Sequence, residues 1–335
     1  MQQPDDEQHV DHVLQADTDE DSALDLGEDQ ISTASLTSTI RHFQIENGHT
    51  YHALSAGKYI LPNDESDQDN VATDIQNEHF LATFDGRAHF APGADTAQRV
   101  LDVGTGTGIW AIQYADAHPA AQVIGVDLSP IQPTHVPPNC SFEIDDVEQE
   151  WTWSFPFDYI FSRFMSLFDP DPLPMRLFQW STLILTGRRT SARERNLTPG
   201  GWLELQDCIF PLGTDDGTFH EGQAIYEWSN LLLEASEKLG RSLGAAIRHR
   251  DHMIAAGFTN VSVRHFKWPS NHWPKDPKHK IVGLWTLANI GDGLDGLSMA
   301  LLSRGHGWTR EQVLGYLPAV RRDLQDKRIH AYWPM

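Results

Sequence analysis

The chain has few of the features that mark secreted or membrane proteins. Only Cys140 and Cys208 occur among its 335 residues. Two cysteines are too few for a disulfide framework or a cysteine-ligated zinc site, so we expect no metal and a cytoplasmic location. No apolar run approaches about 18 residues, which argues against a membrane-spanning helix. The chain opens with glutamine, proline and acids rather than a basic segment and an apolar core, so no secretory signal is expected.

Lysine and arginine are also scarce, above all near the amino terminus. Eleven acidic residues precede the first of them, Arg41, and supply half of the net charge of −22. With few aromatic side chains, residues 1–40 are typical of a disordered acidic arm, which is either a solvating tail or an interaction segment. Neither half of the chain is basic. Nucleic-acid binding through phosphate contacts is therefore disfavoured, and a small or neutral partner fits better.

What the chain does contain is a run of alternate glycines directly after an apolar segment. Residues 100–108 read VLDVGTGTG. The apolar part predicts a strand, and Gly104, Gly106 and Gly108 allow a tight turn that a ligand can approach where a Cβ would collide. A helix is predicted from Ile109, so its free N–H groups and its dipole would face the same ligand. We expect a nucleotide-like ligand over this turn.

The next strand bears on the kind of ligand. Alternate glycines also occur in structural turns, and residues 106–111 match the GxGxxA variant of a dinucleotide fingerprint. The apolar run 122–127 ends in Asp127, about twenty residues after the last glycine, where a carboxylate can accept hydrogen bonds from two ribose hydroxyls. Asp127 would equally serve as a turn or cap residue, since Ser129 and Pro130 follow it. Both roles can coexist.

An acidic residue inside the first strand, Asp102, separates two kinds of cofactor. A nicotinamide dinucleotide carries a pyrophosphate, which a neighbouring carboxylate would repel. S-adenosylmethionine carries an amine and a sulfonium, which an acid attracts. The charge of Asp102 therefore favours S-adenosylmethionine.

The order of apolar and helical segments predicts the fold class. Short apolar runs alternate with helical segments in a βαβ series, which predicts an α/β fold with a doubly wound parallel sheet and a ligand crevice at the carboxyl ends of its strands. The predicted strands span 99–103, 122–127, 141–144, 159–162 and 202–206. We divide the chain into the arm 1–40, a helical lead segment 41–95 and a binding domain 96–335, with a helical lid insertion at about 275–325.

Several blocks of sequence point to one family. The blocks are 51–65, 100–108, 157–163, 197–204, 268–276 and 329–334. Together they resemble the class I S-adenosylmethionine-dependent methyltransferases and, more narrowly, the LaeA-like methyltransferases of fungal secondary metabolism. The resemblance covers about residues 40–335 and implies a seven-stranded-type Rossmann-like sheet with S-adenosylmethionine as methyl donor.

Two features depart from that family pattern. Residues 181–196 form a longer and more basic stretch than relatives have, read as a surface insertion or a translated intron. The chain also ends at Met335, where relatives continue into a last strand, so we expect an exposed sheet edge.

The resemblance also implies positions for the cofactor. Asp145 is expected at the adenine amine, with Asp146 as the alternative, because a register of one residue cannot be read from sequence. Tyr59 is expected to close over the cofactor, and Arg163 either orients a substrate carboxylate or pairs with a neighbouring acid. The full expected cofactor-binding set is Tyr59, Asp102, Gly104, Thr105, Gly106, Gly108, Asp127, Leu128, Asp145, Asp146, Ser162 and Arg163.

The reaction that this resemblance implies needs little acid–base chemistry. In methyl transfer from a sulfonium, alignment of the nucleophile supplies much of the rate, and a base is optional. For a hydroxyl acceptor, His220 and Glu221 are the candidate bases. Our leading hypothesis is a methyltransferase that acts on a small molecule of secondary metabolism. The alternative is a LaeA-like regulator of gene expression that works in the nucleus through protein partners, with the acidic arm as an interaction segment.

Overall fold

The computed structural model describes residues 7–9, 44–51, 67–149, 151–165 and 196–335. Tyr59 and nearly all of the segment 181–196 lie outside this part of the chain. The described strands are β1 Glu7–His9, β2 Gln44–Glu46, β3 His49–Tyr51, β4 Arg99–Val103, β5 Gln122–Asp127, β6 Cys140–Ile144, β7 Phe157–Arg163, β8 Leu197–Gln206, β9 Gly213–Thr214, β10 Val263–His265, β11 Lys267–Pro269 and β12 Ala331–Pro334. The described α-helices are Asp67–Thr83 (α1), Ile109–Ala117 (α2), Ala224–Lys238, His249–Ala255, Pro277–Asp292, Leu294–Ala300 and Arg310–Gln325.

Five parallel strands form the central sheet, in the order β6-β5-β4-β7-β8. This arrangement confirms the α/β prediction. The chain moves from β4 outward through β5 and β6 on one side and then returns to β7 on the other. The turn after β4 therefore lies where the strand order reverses, which is the position at which open α/β sheets bind ligands.

Both faces of the sheet are packed, because alternate residues of its strands point to opposite sides. On one face α2 covers Val100, and the ring of Trp110 stacks on Phe161 with 3.7 Å between centroids. On the other face Leu101 and Ile160 belong to a separate apolar cluster. Burial on both faces explains why the strand sequences read as apolar runs rather than as alternating patterns.

The lead segment contains a hairpin as well as a helix. Strands β2 and β3 pair in antiparallel fashion around Asn47 and Gly48, both of which have positive φ. Asn-Gly is a strong hairpin signal, which the helical prediction for 41–95 did not use. The Glu46 carboxylate accepts a hydrogen bond from Arg304 at 2.6 Å, and Arg310 donates to the Asn47 carbonyl at 2.8 Å. The hairpin is thereby attached to the carboxyl-terminal part of the chain.

Helix α1 shares a hydrophobic core with the helices that follow the central sheet. Phe80 of α1 lies in the same buried cluster as Trp228, Trp268 and residues of the helices within 277–325. The His79 ring stacks on Trp268 with 3.7 Å between centroids, and its Nε2 lies 3.0 Å from the hydroxyl of Thr286. The segment expected to form a lid is therefore packed against the lead helix.

The last described strand lies outside the central sheet, where β8 pairs only with β7 among the described strands, so the expected exposed edge of that sheet stays a prediction. Strand β12 is the middle strand of a three-stranded antiparallel sheet, with β11 on one side and β9 on the other. Trp333 is 0% exposed, and the Ile209 N–H donates to the Pro334 carbonyl at 2.9 Å. A strand of four residues that ends in proline gives a weak sequence signal, which is why it was missed.

A short piece of the acidic arm is also part of a sheet. Strand β1 pairs in parallel with β10. Within the described residues, no helix has the length and apolar character that crossing a bilayer requires.

Candidate cofactor site

The glycine turn lies between β4 and α2 and is held by backbone hydrogen bonds to the neighbouring strand. The N–H groups of Gly104 and Thr105 donate to the Val126 carbonyl at 2.9 and 3.0 Å. Gly108 is the N-cap of α2 with a φ of 83°, and a Cβ at this position would come within 2.3 Å of the Phe142 ring. Glycine is therefore required here both by backbone conformation and by space.

Asp127 at the end of β5 is built into the turn. Its Oδ2 accepts a hydrogen bond from the Gly106 N–H at 2.9 Å, and its Oδ1 accepts one from the Ser129 N–H at 3.0 Å. Leu128, the next residue, is half-buried. Gln132, which no sequence pattern singled out, donates to the Gly106 carbonyl at 2.7 Å. Burial raises the pKa of Asp127. The carboxylate thus holds the turn, yet it has acceptor positions left for ligand hydroxyls.

Asp102 is a buried acid directly beneath the turn. The Thr105 hydroxyl donates to its Oδ2 at 2.6 Å. Burial raises the pKa of Asp102 to about 7, against the opposing effects of the Thr105 hydrogen bond and the positive charge of Arg163. A cation bound nearby would favour the ionised carboxylate. Asp102 is therefore suited to a positively charged ligand group.

Asp145 and Asp146 follow β6 and differ in their surroundings. The Asp145 N–H donates to the Asp127 carbonyl at 3.1 Å, so Asp145 lies next to the end of β5. The buried Asp146 carboxylate accepts hydrogen bonds from the Glu148 N–H at 3.0 Å and from the Gln149 amide at 3.2 Å. The half-buried Asp145 carboxylate accepts one from the Asp146 N–H at 2.8 Å. Asp146 thus holds its own turn, and Asp145 is the more available acceptor.

Ser162 lies in β7 beside the strand that leads into the glycine turn. It is paired across the sheet with Val103, the residue before Gly104. The side chain is 1% exposed, and its hydroxyl has no hydrogen-bond partner among the described residues. An unpaired buried hydroxyl is costly unless a ligand or water completes it.

Arg163 connects the sheet to the lead segment instead of pairing directly with an acid. Its guanidinium donates to Gln206 Oε1 at 2.9 Å, to Asn77 Oδ1 at 2.8 Å and to the Ala88 carbonyl at 3.3 Å. It also lies over the Phe80 ring, 4.4 Å from the centroid. Burial lowers its pKa to about 10. The sequence resemblance placed Arg163 near the site but did not reveal this role.

The half-buried carboxylate of Glu204 in β8 completes this network. It accepts hydrogen bonds from the N–H groups of Phe90 and Ala91, the shortest at 2.8 Å, from the Tyr159 hydroxyl at 3.0 Å and from the Gln206 amide at 2.7 Å. Phe90, Ala91 and Tyr159 lie 114, 113 and 45 positions from Glu204 along the chain. No local sequence pattern could have identified them.

Helix α1 reaches the glycine turn itself. The Thr107 hydroxyl donates to Asp74 Oδ1 at 3.3 Å, and the Asn77 amide donates to Gln113 Oε1 at 3.2 Å. Asp74 adds a third carboxylate near the turn, after Asp102 and Asp127. An accumulation of acceptors suits a ligand that presents an amine, ribose hydroxyls and an adenine amine, all of which donate hydrogen bonds.

Within the described part of the chain, the candidate bases His220 and Glu221 make only local hydrogen bonds. Both are exposed in the loop before the helix Ala224–Lys238. The His220 N–H donates to Gln223 Oε1 at 2.9 Å, and its ring lies 2.9 Å from the Glu221 carbonyl. Among the described residues, no hydrogen bond joins either side chain to the glycine turn. Their role in catalysis stays a prediction.

Comparison with known proteins agrees with this geometry. Residues 75–263 match the family model described as a methyltransferase domain, a span that includes the second half of α1, the glycine turn and all five strands of the central sheet. The match covers more than half of the chain.

Individual relatives cover most of the chain. It is 36% identical to methyltransferase pytC of Aspergillus terreus over 90% of this chain and 88% of that protein. It is 32% identical to the probable methyltransferase tdiE of Emericella nidulans over 82% of this chain and 81% of that protein. It is also 33% identical to the protein-methionine methyltransferase laeA of Emericella nidulans, over 87% of this chain and 74% of that protein.

Proposed function

We propose that this chain, which belongs to the methyltransferase domain family and is an S-adenosylmethionine-dependent methyltransferase of the LaeA-like group, acts on a small-molecule acceptor in secondary metabolism. S-adenosylmethionine supplies a methyl group already activated on a sulfonium. The protein's task is therefore to hold the donor and align the acceptor.

We assign each acid around the turn to a different group of the donor. We assign Asp127 to the ribose hydroxyls, because its carboxylate lies at the carboxyl end of β5 and retains acceptor capacity beside Gly106. We assign Asp102 to the cationic end, because it is buried beneath the turn. Asp145 is our choice for the adenine amine, and the Ser162 hydroxyl is a further polar contact near the turn.

The position of α1 is the main support for a small acceptor. This helix contacts the turn through Asp74 and Thr107, and Arg163 fixes it to the sheet through Asn77. Its far side is packed against the helix Pro277–Asp292 through His79 and Thr286. An acceptor must reach the methyl group beside this folded cover. A small molecule meets that condition more readily than the surface of a folded protein.

A labelled donor tests the proposal. Purified protein is incubated with trideuteromethyl S-adenosylmethionine and a cell extract that has been separated by ultrafiltration into small-molecule and protein fractions. We expect the heavy methyl group in a compound of the small-molecule fraction, as detected by mass spectrometry. The Asp127→Asn variant, in which donor binding is expected to be weaker, serves as the control at a donor concentration that does not saturate it. Label confined to the protein fraction would overturn the small-acceptor proposal.

A second candidate function has support from the relatives. Some carry the description of secondary metabolism regulator, and one is described as a protein-methionine methyltransferase. On this alternative, the chain acts through protein partners in the nucleus, and the arm 1–40 contributes to binding them. Label on a methionine of a protein, together with loss of that label when residues 1–40 are removed, would favour it.

A further inference from the structure

Two histidines and an aspartate converge at the edge of the sheet opposite the glycine turn. The Nε2 atoms of His89 and His118 each lie 3.6 Å from Asp95 Oδ1, and the three potential ligand atoms lie within 4.8 Å of one another. His89 and Asp95 come from the loop between α1 and β4, and His118 is the C-cap of α2. We propose that these three residues bind a divalent transition-metal ion of the zinc type.

The ligand set and its spacing suit such an ion. Imidazole nitrogen and carboxylate oxygen bind Zn²⁺ at about 2.0–2.2 Å, which places neighbouring ligand atoms of a tetrahedral site about 3.3 Å apart. The two 3.6 Å separations are close to that value, and the two histidine nitrogens lie within 4.8 Å of each other, so side-chain rotations must shorten mainly that last distance. Two imidazoles disfavour Mg²⁺ and Ca²⁺, which prefer oxygen ligands. Three protein ligands leave a fourth position for water.

The surroundings orient two of the three ligands. The His118 Nδ1 lies 2.9 Å from the Tyr114 carbonyl, so this nitrogen carries the proton and Nε2 is left with its lone pair towards Asp95. A hydrogen bond of this kind to the non-ligating nitrogen is typical of metal-binding histidines. The Tyr114 hydroxyl donates to the Ala94 carbonyl, which fixes the short helical turn that carries Asp95.

The position of His118 at a helix terminus also favours a bound cation. His118 directly follows the last residue of α2, where the helix dipole presents its negative end. A cation is favoured at that point. Without a metal, the same three groups form at most an exposed ion pair, because the Asp95 side chain is 75% exposed. Such pairs contribute about 0–1 kcal/mol to stability.

The location indicates a structural site. Helix α2 separates His118 from the glycine turn by its nine residues, or about 14 Å at 1.5 Å per residue. The loop that provides His89 also provides the Ala88 carbonyl to Arg163 and the Phe90 N–H to Glu204. A metal between His89 and His118 would therefore fasten the loop after α1 to α2, and with it the network that holds the cover over the turn.

Titration of metal-free protein with ZnCl₂ tests this inference. The protein is treated with a chelator, dialysed and titrated by calorimetry, and its Tm is measured with and without Zn²⁺. Asp95→Asn is the test variant, since an exposed side chain can be changed without loss of folding. Asp116→Asn is the matched control, because it removes a nearby exposed acid of α2 that lies outside the cluster.

We expect wild type and Asp116→Asn to bind Zn²⁺ with the same affinity and to gain the same increase in Tm. Asp95→Asn should bind at least about tenfold more weakly and lose most of that increase. The chain has 17 histidines, so weak binding elsewhere is expected, and the difference between the two variants is the informative quantity. Equal affinity in wild type and Asp95→Asn, or no Zn²⁺ binding by wild type, would refute the site. Neither result bears on methyl transfer, since donor binding is measured separately.

Discussion

At the scale of single residues, Asp127 combines an observed structural role with the ligand-binding role that we propose for it. Its oxygens accept hydrogen bonds from Gly106 and Ser129, and an ionised carboxylate offers about four acceptor positions in all. The Leu128 N–H also donates to this carboxylate, which leaves acceptor capacity for a ribose hydroxyl. The turn is thereby held in its binding conformation before the donor arrives, which lowers the cost of binding.

Replacement of Asp127 by asparagine tests this combination. We expect the affinity for S-adenosylhomocysteine to fall by about 1.5–3 kcal/mol, because a charged hydrogen-bonding site is left incomplete. Calorimetric titration measures the effect. Asp158→Asn is the control, since the Asp158 carboxylate accepts hydrogen bonds from the Gln98 and Arg99 N–H groups, away from the turn. If both variants lose affinity equally, the effect is one of stability and Asp127 is not a donor ligand.

Asp102 should make stability depend on pH. Its pKa is raised by burial from 3.8 to about 7, so the folded state binds this proton more tightly than the unfolded state does. The favourable contribution is fully present below the unfolded pKa and is lost as the pH rises through the folded pKa. Asp102→Asn has no such loss, while its side-chain oxygen can still accept from Thr105. Between about pH 4 and about pH 7 the unfolding free energy of wild type should therefore fall relative to that of Asp102→Asn. Above about pH 7 the difference between the two proteins should stay constant. Urea unfolding at a series of pH values measures it; parallel pH profiles would contradict the assignment.

At the scale of secondary-structure elements, the attachment of α1 is the distinctive feature. The buried Asn77 side chain of α1 accepts a hydrogen bond from Arg163 of the sheet and donates one to Gln113 of α2. Buried charged groups give well-defined geometry, but they are costly when one partner is removed. The position of α1 should therefore be sensitive to single substitutions.

Asn77→Ala should show this sensitivity. The substitution leaves one N–H of the Arg163 guanidinium and the Gln113 amide oxygen without their partner, so we expect a loss of about 1–3 kcal/mol in the free energy of unfolding. Urea denaturation followed by tryptophan fluorescence provides the measurement. Glu78→Ala is the matched control, since Glu78 is the next residue of the same helix and is exposed. A loss no larger than that of Glu78→Ala would show that the network does not hold α1.

At the scale of the whole molecule, the sequence predicted the parts of the fold that depend on neighbouring residues. The strands around residues 100 and 124, the glycine turn and Asp127 follow from local patterns, and the structure contains the strands and turn at those places. The contacts of Arg163 and Glu204 could not be predicted, because their partners come from distant segments and no spacing rule relates them. Strand β12 was missed because its four residues give too little alternation and include a proline.

The final strand should be essential to the whole fold. Removal of residues 331–335 would take away the middle strand of the three-stranded sheet, the buried Trp333 and the carbonyl of Ala331 to which the Trp273 indole donates at 3.0 Å. We expect the truncated protein to lose cooperative thermal unfolding, as judged by calorimetry. The conservative variant Tyr332→Phe, which keeps the strand and removes the hydrogen bond to Asp215, should retain it. A truncated chain with a wild-type Tm would contradict this view.

The packing of α1 against late segments also has a consequence for synthesis on the ribosome. Domains generally fold as units while the chain emerges from its amino terminus. Helix α1 emerges early, but Trp268, whose indole N–H donates to the Thr83 hydroxyl, follows 185 positions later, and Thr286 follows its partner His79 by 207 positions. The parallel sheet and its glycine turn are complete well before those partners exist. The strands and the turn of the proposed donor site are therefore synthesised before the segments that hold α1 in place, and the cover can be completed only near the end of synthesis.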